Sequence, residues 1–224
     1  MLYDDKLEKS NCGVGFLTRK DGLQTHEILE MGHQALCRVP HRGGMSSKGI
    51  GDGAGIGIDL SVKFFSKITK KQLRYGFFAV GNFFLPNDKN IHKEAEELIE
   101  KCFHDNNLKI LKKRMIEVNN DSLCNEKDLA QLPIRQWIIE DKKKRNVQEF
   151  EKSIYSSLIE IESKAFKDEK FNGLYPLSLS SKMQVFKGRL NSNEIIPYFV
   201  DLSDPDQCVK VMYFHTRFST NTEP

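Results

Sequence analysis

The chain has 224 residues, 39% of them hydrophobic and 29% charged, enough to bury a sizeable core as one large or two small domains and too ordered in composition for a fibrous or disordered protein. A formal net charge of +3 from 34 basic and 31 acidic residues is too balanced to point to nucleic acid or an anionic membrane as the main partner. Five widely spaced cysteines without a C-x-x-C pair argue for free thiols in a reducing compartment, and no stretch of 18 uncharged apolar residues or signal-peptide core is present, so the expected location is the cytoplasm.

Apolar periodicity switches repeatedly along the chain between strand-like and helix-like. Residues Cys12 to Thr18 predict a short strand, and His26 to Arg38 a helix stopped by Pro40. Buried strands are expected over Gly55 to Leu60 and over the aromatic-rich Tyr75 to Leu85. An amphipathic helix over Ile91 to Asn106, with Ala95, Leu98, Ile99 and Cys102 inward, is followed by strands at Lys109 to Val118 and Ile134 to Glu140. After a solvated turn at Asp141 to Arg145, one apolar stripe from Val147 to Ala165 predicts a long helix over Val147 to Phe166. Strands at Tyr175 to Ser180, Gln184 to Lys187 and Val209 to His215, with a short helix at Asn193 to Tyr198, complete a pattern of layered sheets and helices.

Three features bear on chemistry. Cys12, in Asn11-Cys12-Gly13-Val14-Gly15-Phe16, stands close to the start of the chain. Cleavage after Asn11 would give it a free α-amine, which titrates near pH ~8 and can accept the thiol proton, so one residue would hold nucleophile and base. The other reading of Cys12 is a small buried residue in a first strand. The glycine run from Gly49 to Gly55 lacks both the G-x-G-x-x-G spacing and the Gly-Lys-Ser/Thr ending of a phosphate loop and precedes a strand, so it reads as a turn that needs positive φ, with Asp52 bonding its own backbone. His33, Cys37 and His41 recur every four residues like metal ligands, but Pro40 breaks the helix that would align them.

The order of several motifs resembles the amino-terminal class-II glutamine amidotransferase domain of glutamate synthases. They are the Cys12 run, Leu36-Cys37 leading to His41-Arg42-Gly43, and Gly51-Asp52-Gly53-Ala54-Gly55-Ile56. Gly81-Asn82-Phe83-Phe84-Leu85-Pro86, Pro133-Ile134-Arg135-Gln136, and Leu179-Ser180-Ser181 with Val185-Phe186-Lys187-Gly188 follow, and His215-Thr216-Arg217-Phe218-Ser219-Thr220-Asn221-Thr222 closes the set. The likeness runs from Cys12 to Pro224, and the Arg-Phe-Ser-Thr-Asn-Thr ending is similar to glutamate synthases rather than to other class-II amidotransferases.

That resemblance implies an α/β (α+β) fold, the four-layer αββα arrangement of N-terminal-nucleophile hydrolases, truncated at its C-terminal side. It implies a propeptide of residues 1–11 and an incomplete amidotransferase domain over 12–224. Cys12 would attack the side-chain amide of glutamine, forming a thioester and releasing ammonia, and water would then release glutamate. In the parent enzyme the ammonia would aminate 2-oxoglutarate, and reduction would give a second glutamate. Arg217 would hold the glutamine α-carboxylate, Thr220 would contact the same head group, and Arg42 would lie beside the pocket unless it is a structural loop arginine. The oxyanion donors expected from an Asn-Gly motif have no counterpart here, because Asn172-Gly173 precedes the arginine motif and reads as a turn. No cofactor is expected in this segment; FMN and an iron–sulfur cluster are implied for the parent. Implied partners are glutamine, the remaining synthase domains of the same polypeptide and a small reductase subunit. Two other readings stay open: an inactive glutamine-binding or structural fragment, and a stand-alone amidotransferase serving another acceptor.

Overall fold

The computed structural model describes residues 13–39, 53–86, 88–123 and 132–216. Two four-stranded antiparallel sheets form its centre. The first has the order β1-β8-β2-β7, from β1 (Val14–Thr18), β2 (Ala54–Asp59), β7 (Met183–Gly188) and β8 (Val211–His215). The second has the order β4-β5-β3-β6, from β3 (Phe78–Phe84), β4 (Leu108–Met115), β5 (Ile134–Asp141) and β6 (Tyr175–Ser180). The fold is therefore α+β, with the chain crossing from one sheet to the other at the short turn between β6 and β7.

Alternation decides which face each strand buries. In β3 and β5, Ala79, Phe83, Trp137 and Ile139 face α3 (His92–Asp105) and α4 (Val147–Lys167), where Phe103, Ile99, Phe150, Ile154 and Ile161 cover them. Trp137 is fully buried, stands edge-on to Phe83 at 5.4 Å, and donates its indole N–H to Glu100 at 3.2 Å. A buried aromatic of this size contributes on the order of 2–3 kcal/mol by area alone, and the indole bond keeps its one polar atom satisfied. The opposite side chains, Phe78, Val80, Phe84 and Ile138, point toward the first sheet and α2 (Val62–Thr69).

In the first sheet the inward row is Leu17, Met212, Ile58, Ile56 and Phe186, and α1 (Glu27–Cys37) packs on its β1–β8 end. Gly32 allows that approach, since a Cβ there would lie 2.1 Å from the Met212 sulfur. Gly15 plays the same part for Phe214, whose ring would stand 2.2 Å from an added Cβ. The outward row differs: Val14 is 72% exposed, Phe16 67% and Tyr213 48%. The described residues thus supply a helix layer, two sheets and an uncovered outer face on the first sheet.

Element positions follow the sequence reading closely, with ends displaced by a few residues: the strand expected over Lys109 to Val118 is Leu108–Met115, and that expected over Val209 to His215 is Val211–His215. Two helices are additions, α2 and the four-residue α6 (Val200–Ser203), which follows α5 (Ile195–Tyr198). The capping signal for α2 is nonetheless in the chain, because Ser61 accepts the Phe64 amide at 3.2 Å. Asn172-Gly173 is a turn as expected, with Gly173 at φ +92°. Among the described residues no helix is long and apolar enough to cross a membrane.

Candidate active site

One end of the first sheet collects the motifs. Because neighbouring strands are antiparallel, the starts of β1 and β2 and the ends of β8 and β7 share this end. Ala54, at the start of β2, pairs with Gly188, at the end of β7, and Gly53 precedes it at φ +121°, a conformation that glycine alone adopts without strain. That agrees with the turn expected of the glycine run; its first part, through Asp52, lies outside the described residues.

Beyond the β1–β8 ladder, Gly13 and Thr216 are tied twice. The Thr216 amide donates to the Gly13 carbonyl at 2.9 Å, and the Gly13 amide donates to the Thr216 hydroxyl at 2.9 Å across 203 residues of sequence. Thr216 is 1% exposed, so neither bond is exchanged readily with water. The sequence neighbours of this pair are Cys12 and Arg217. Cys12, Arg42, Arg217 and Thr220 themselves lie outside the described residues, as does Asp52. What the structure brings together is thus the residue after the expected nucleophile and the residue before the expected carboxylate-binding arginine.

Between the sheets runs a polar seam that periodicity did not reveal. Arg114 donates Nη1 to Asp201 Oδ1 at 2.9 Å, pairs its Nη2 with the second carboxylate oxygen, and donates Nε to Gln136 Oε1 at 2.8 Å. With its oxygen so occupied, Gln136 turns its amide N–H₂ to Asn82 Oδ1 at 2.8 Å and to Gln184 Oε1 at 3.3 Å. Asn82 then donates to the Val185 carbonyl of β7 at 2.9 Å. Asn82, Gln136 and Gln184 are all fully buried, so each amide orientation is fixed by the one before it, starting from the guanidinium–carboxylate pair. The sequence signal for this seam is one uncharged amide side chain in each of three strands, Asn82 in β3, Gln136 in β5 and Gln184 in β7, on positions that alternate with the outward row. Close to the motif end of the sheet, burial pushes the Lys187 ammonium below its ordinary pKa.

The remaining expected residues fall into structural places. Cys37 is exposed, with its sulfur 3.8 Å from His33 Nε2, and His41 lies outside the described residues. Arg135 pairs with Glu96 at 2.7 Å, and Ser181 donates its hydroxyl to Glu151. Cys37, Cys102 and Cys208 stand on separate elements, and no group of three or more His, Cys, Asp or Glu is gathered among the described residues. These residues do not fit an iron–sulfur cluster.

Comparison with known proteins bears on the family. The family profile described as glutamine amidotransferases class-II matches residues 12–224. Similar curated proteins include the glutamate synthase [NADH] of Saccharomyces cerevisiae, 32% identical over all of this chain and 11% of its own length. The glutamate synthase [NADPH] large chain of Azospirillum brasilense is 31% identical over 99% of this chain and 15% of its own. The chloroplastic ferredoxin-dependent glutamate synthase 2 of Arabidopsis thaliana is 31% identical over all of this chain and 14% of its own. The chain thus spans 11 to 15% of the length of these relatives. With a family profile covering it from Cys12 onward and the motif-bearing strands converging on one sheet end, the chain belongs to the class-II glutamine amidotransferases.

Proposed function

We propose that this chain is the glutamine-hydrolysing segment of a glutamate synthase. The observation that carries the reading is the double hydrogen bond between Gly13 and Thr216, which supports placing a nucleophile at Cys12 and a carboxylate clamp at Arg217 on neighbouring strands. Removal of residues 1–11 frees the Cys12 α-amine, which takes the thiol proton as sulfur attacks the glutamine amide carbon and returns it to the departing ammonia. Water opens the thioester, giving glutamate and the free thiol. Arg217 binds the α-carboxylate of glutamine as a planar two-pronged donor, Thr220 contacts the same head group, and Arg42 borders the pocket.

In this reading the ammonia passes to other domains of the same polypeptide for reductive amination of 2-oxoglutarate, and a small reductase subunit is a further partner. FMN and an iron–sulfur cluster belong to those other segments, and the location is cytoplasmic.

The decisive experiment uses the full-length protein. Mass spectrometry should place Cys12 at the mature amino terminus, and Cys12→Ser should abolish glutamine-dependent glutamate formation while leaving the ammonia-dependent reaction intact. Active protein that retains residues 1–11, or equal loss of both activities in the variant, would overturn the reading. Cys37→Ser should change neither activity.

A further inference from the structure

Helices α3 and α4 meet over a thiol that glutamine hydrolysis does not use. Cys102 of α3 is fully buried, yet its sulfur lies 3.6 Å from the Nζ of Lys164 of α4, 62 residues away in sequence. The two side chains sit in a fixed polar cluster. Glu160 accepts from Lys164 at 2.5 Å and from Asn106 Nδ2 at 2.9 Å, and Asn106 also donates to the Cys102 carbonyl at 2.9 Å. Ser157 donates to that same carbonyl at 3.4 Å. The Lys164 side chain is 39% exposed while the thiol is buried, so the lysine is the solvent-facing side of the pair.

We propose that Cys102 and Lys164 form an oxidant-driven covalent bridge, S–O–N, that ties α3 to α4. Hydrogen peroxide is the oxidant. The thiol S–H bond and two N–H bonds of the ammonium break, and S–O and O–N bonds form. Two peroxides accept four electrons and leave one oxygen in the bridge, three waters and one proton released to solvent. The spacing selects the oxygen-containing link, since a direct S–N bond would require the two atoms to close by about half their separation and an intervening oxygen by only about a quarter. Burial, with Glu160 nearby, pushes the Cys102 thiol pKa up, and the Glu160 hydrogen bond raises that of Lys164. Both groups therefore rest protonated, and the bridge forms under sustained oxidant rather than spontaneously in air.

The test treats the purified protein with millimolar hydrogen peroxide, then measures intact mass and maps peptides without reductant. The expected result is a linked peptide pair containing Cys102 and Lys164, about 14 Da heavier than the two peptides together and separated by dithiothreitol. Lys164→Arg keeps a cation for Glu160 but offers no amine, so the linked pair should vanish and Cys102 should carry oxygen alone, with a gain of about 16 or 32 Da. The proposal is overturned if, in the unaltered protein, Cys102 collects oxygen without linkage, links to another lysine, or stays a thiol while exposed Cys37 oxidises.

Discussion

Thr216→Val probes the tie at the motif end of the first sheet. The substitution keeps the branched shape and removes only the hydroxyl, which accepts from the Gly13 amide at 2.9 Å in a site 1% exposed to solvent. The bond from the Thr216 amide to the Gly13 carbonyl survives. What remains is a buried N–H without an acceptor, costing about 1–3 kcal/mol, offset in part by the added methyl surface. A net loss of about 1–2 kcal/mol lowers the urea midpoint by roughly 0.5–1 M at a slope of about 2 kcal/mol per M. Thr216→Ser, which retains the acceptor, should lose less than about 1 kcal/mol. Because Gly13 and Thr216 adjoin Cys12 and Arg217, glutamine hydrolysis at 25 °C, where the valine variant remains folded, should also fall in kcat/KM. Urea titration followed by tryptophan fluorescence, alongside ammonia release from glutamine, reads both effects. Valine and serine variants that behave alike, or a valine variant matching the unaltered protein in both assays, would refute the reasoning.

Three further outcomes are expected. Arg217→Lys keeps the charge but loses the two-pronged donor, so KM for glutamine should rise by the equivalent of roughly 1.5–3 kcal/mol in a steady-state assay, and an unchanged KM would remove Arg217 from the substrate site. Arg114→Met should destabilise by about 3–5 kcal/mol in denaturant titration because Asp201 is left buried without its partner, whereas adding Asp201→Leu should recover a measurable part of that loss; simple additivity would show that the pair is not coupled. Finally, hydrogen bonding from the Lys63 ammonium, then from Lys67, lowers Asp206 to about 2. A carboxyl whose pKa is depressed on folding contributes stability above its unfolded value, near ~3.9, and loses it as pH falls through the folded one. The stability gap between the unaltered protein and Asp206→Asn should therefore be constant above about pH 5 and close between about pH 4 and pH 2. A gap unchanged at pH 2 would show that the lysine pairs contribute nothing.

Much of the architecture is legible in local pattern. The single apolar stripe from Val147 to Ala165 predicts α4 because a helix that packs one face against a sheet needs that spacing, and Asn146 caps it by accepting the Glu149 amide at 3.0 Å. Helix α2 is harder to read, since its eight residues include two phenylalanines, a valine, an isoleucine and a threonine, whose intrinsic preference leans toward strand. The packing of Phe64 and Phe65 under Phe78 and Val80 decides its conformation. Sheet order is less legible still, because β8 inserts between β1 and β2 from the far side of the sequence, and no periodicity within a strand reports its neighbour. At the site, the motifs propose Cys12 and Arg217 from residue identity, while the tie made by Thr216 emerges only when its hydroxyl is found on Gly13. The Asn82–Gln136–Gln184 seam is visible in the chain only as three separate amide residues, and its meaning depends on two sheets facing each other.

The late insertion of β8 also sets a clock on biosynthesis. Among the described residues the ladder partner of β1 is β8, which leaves the ribosome about 200 residues later. With a sequence separation of 203 between Gly13 and Thr216 and translation at about 5–20 residues per second, β1 waits roughly 10–40 s for that partner. During that interval the apolar rows of β1 and β2 have no central strand to close on, a state that invites chaperone binding and slow, non-local folding. Until β8 has emerged the nascent chain therefore has no assembled motif end, and the strand that completes the sheet sets the earliest moment at which that end can form.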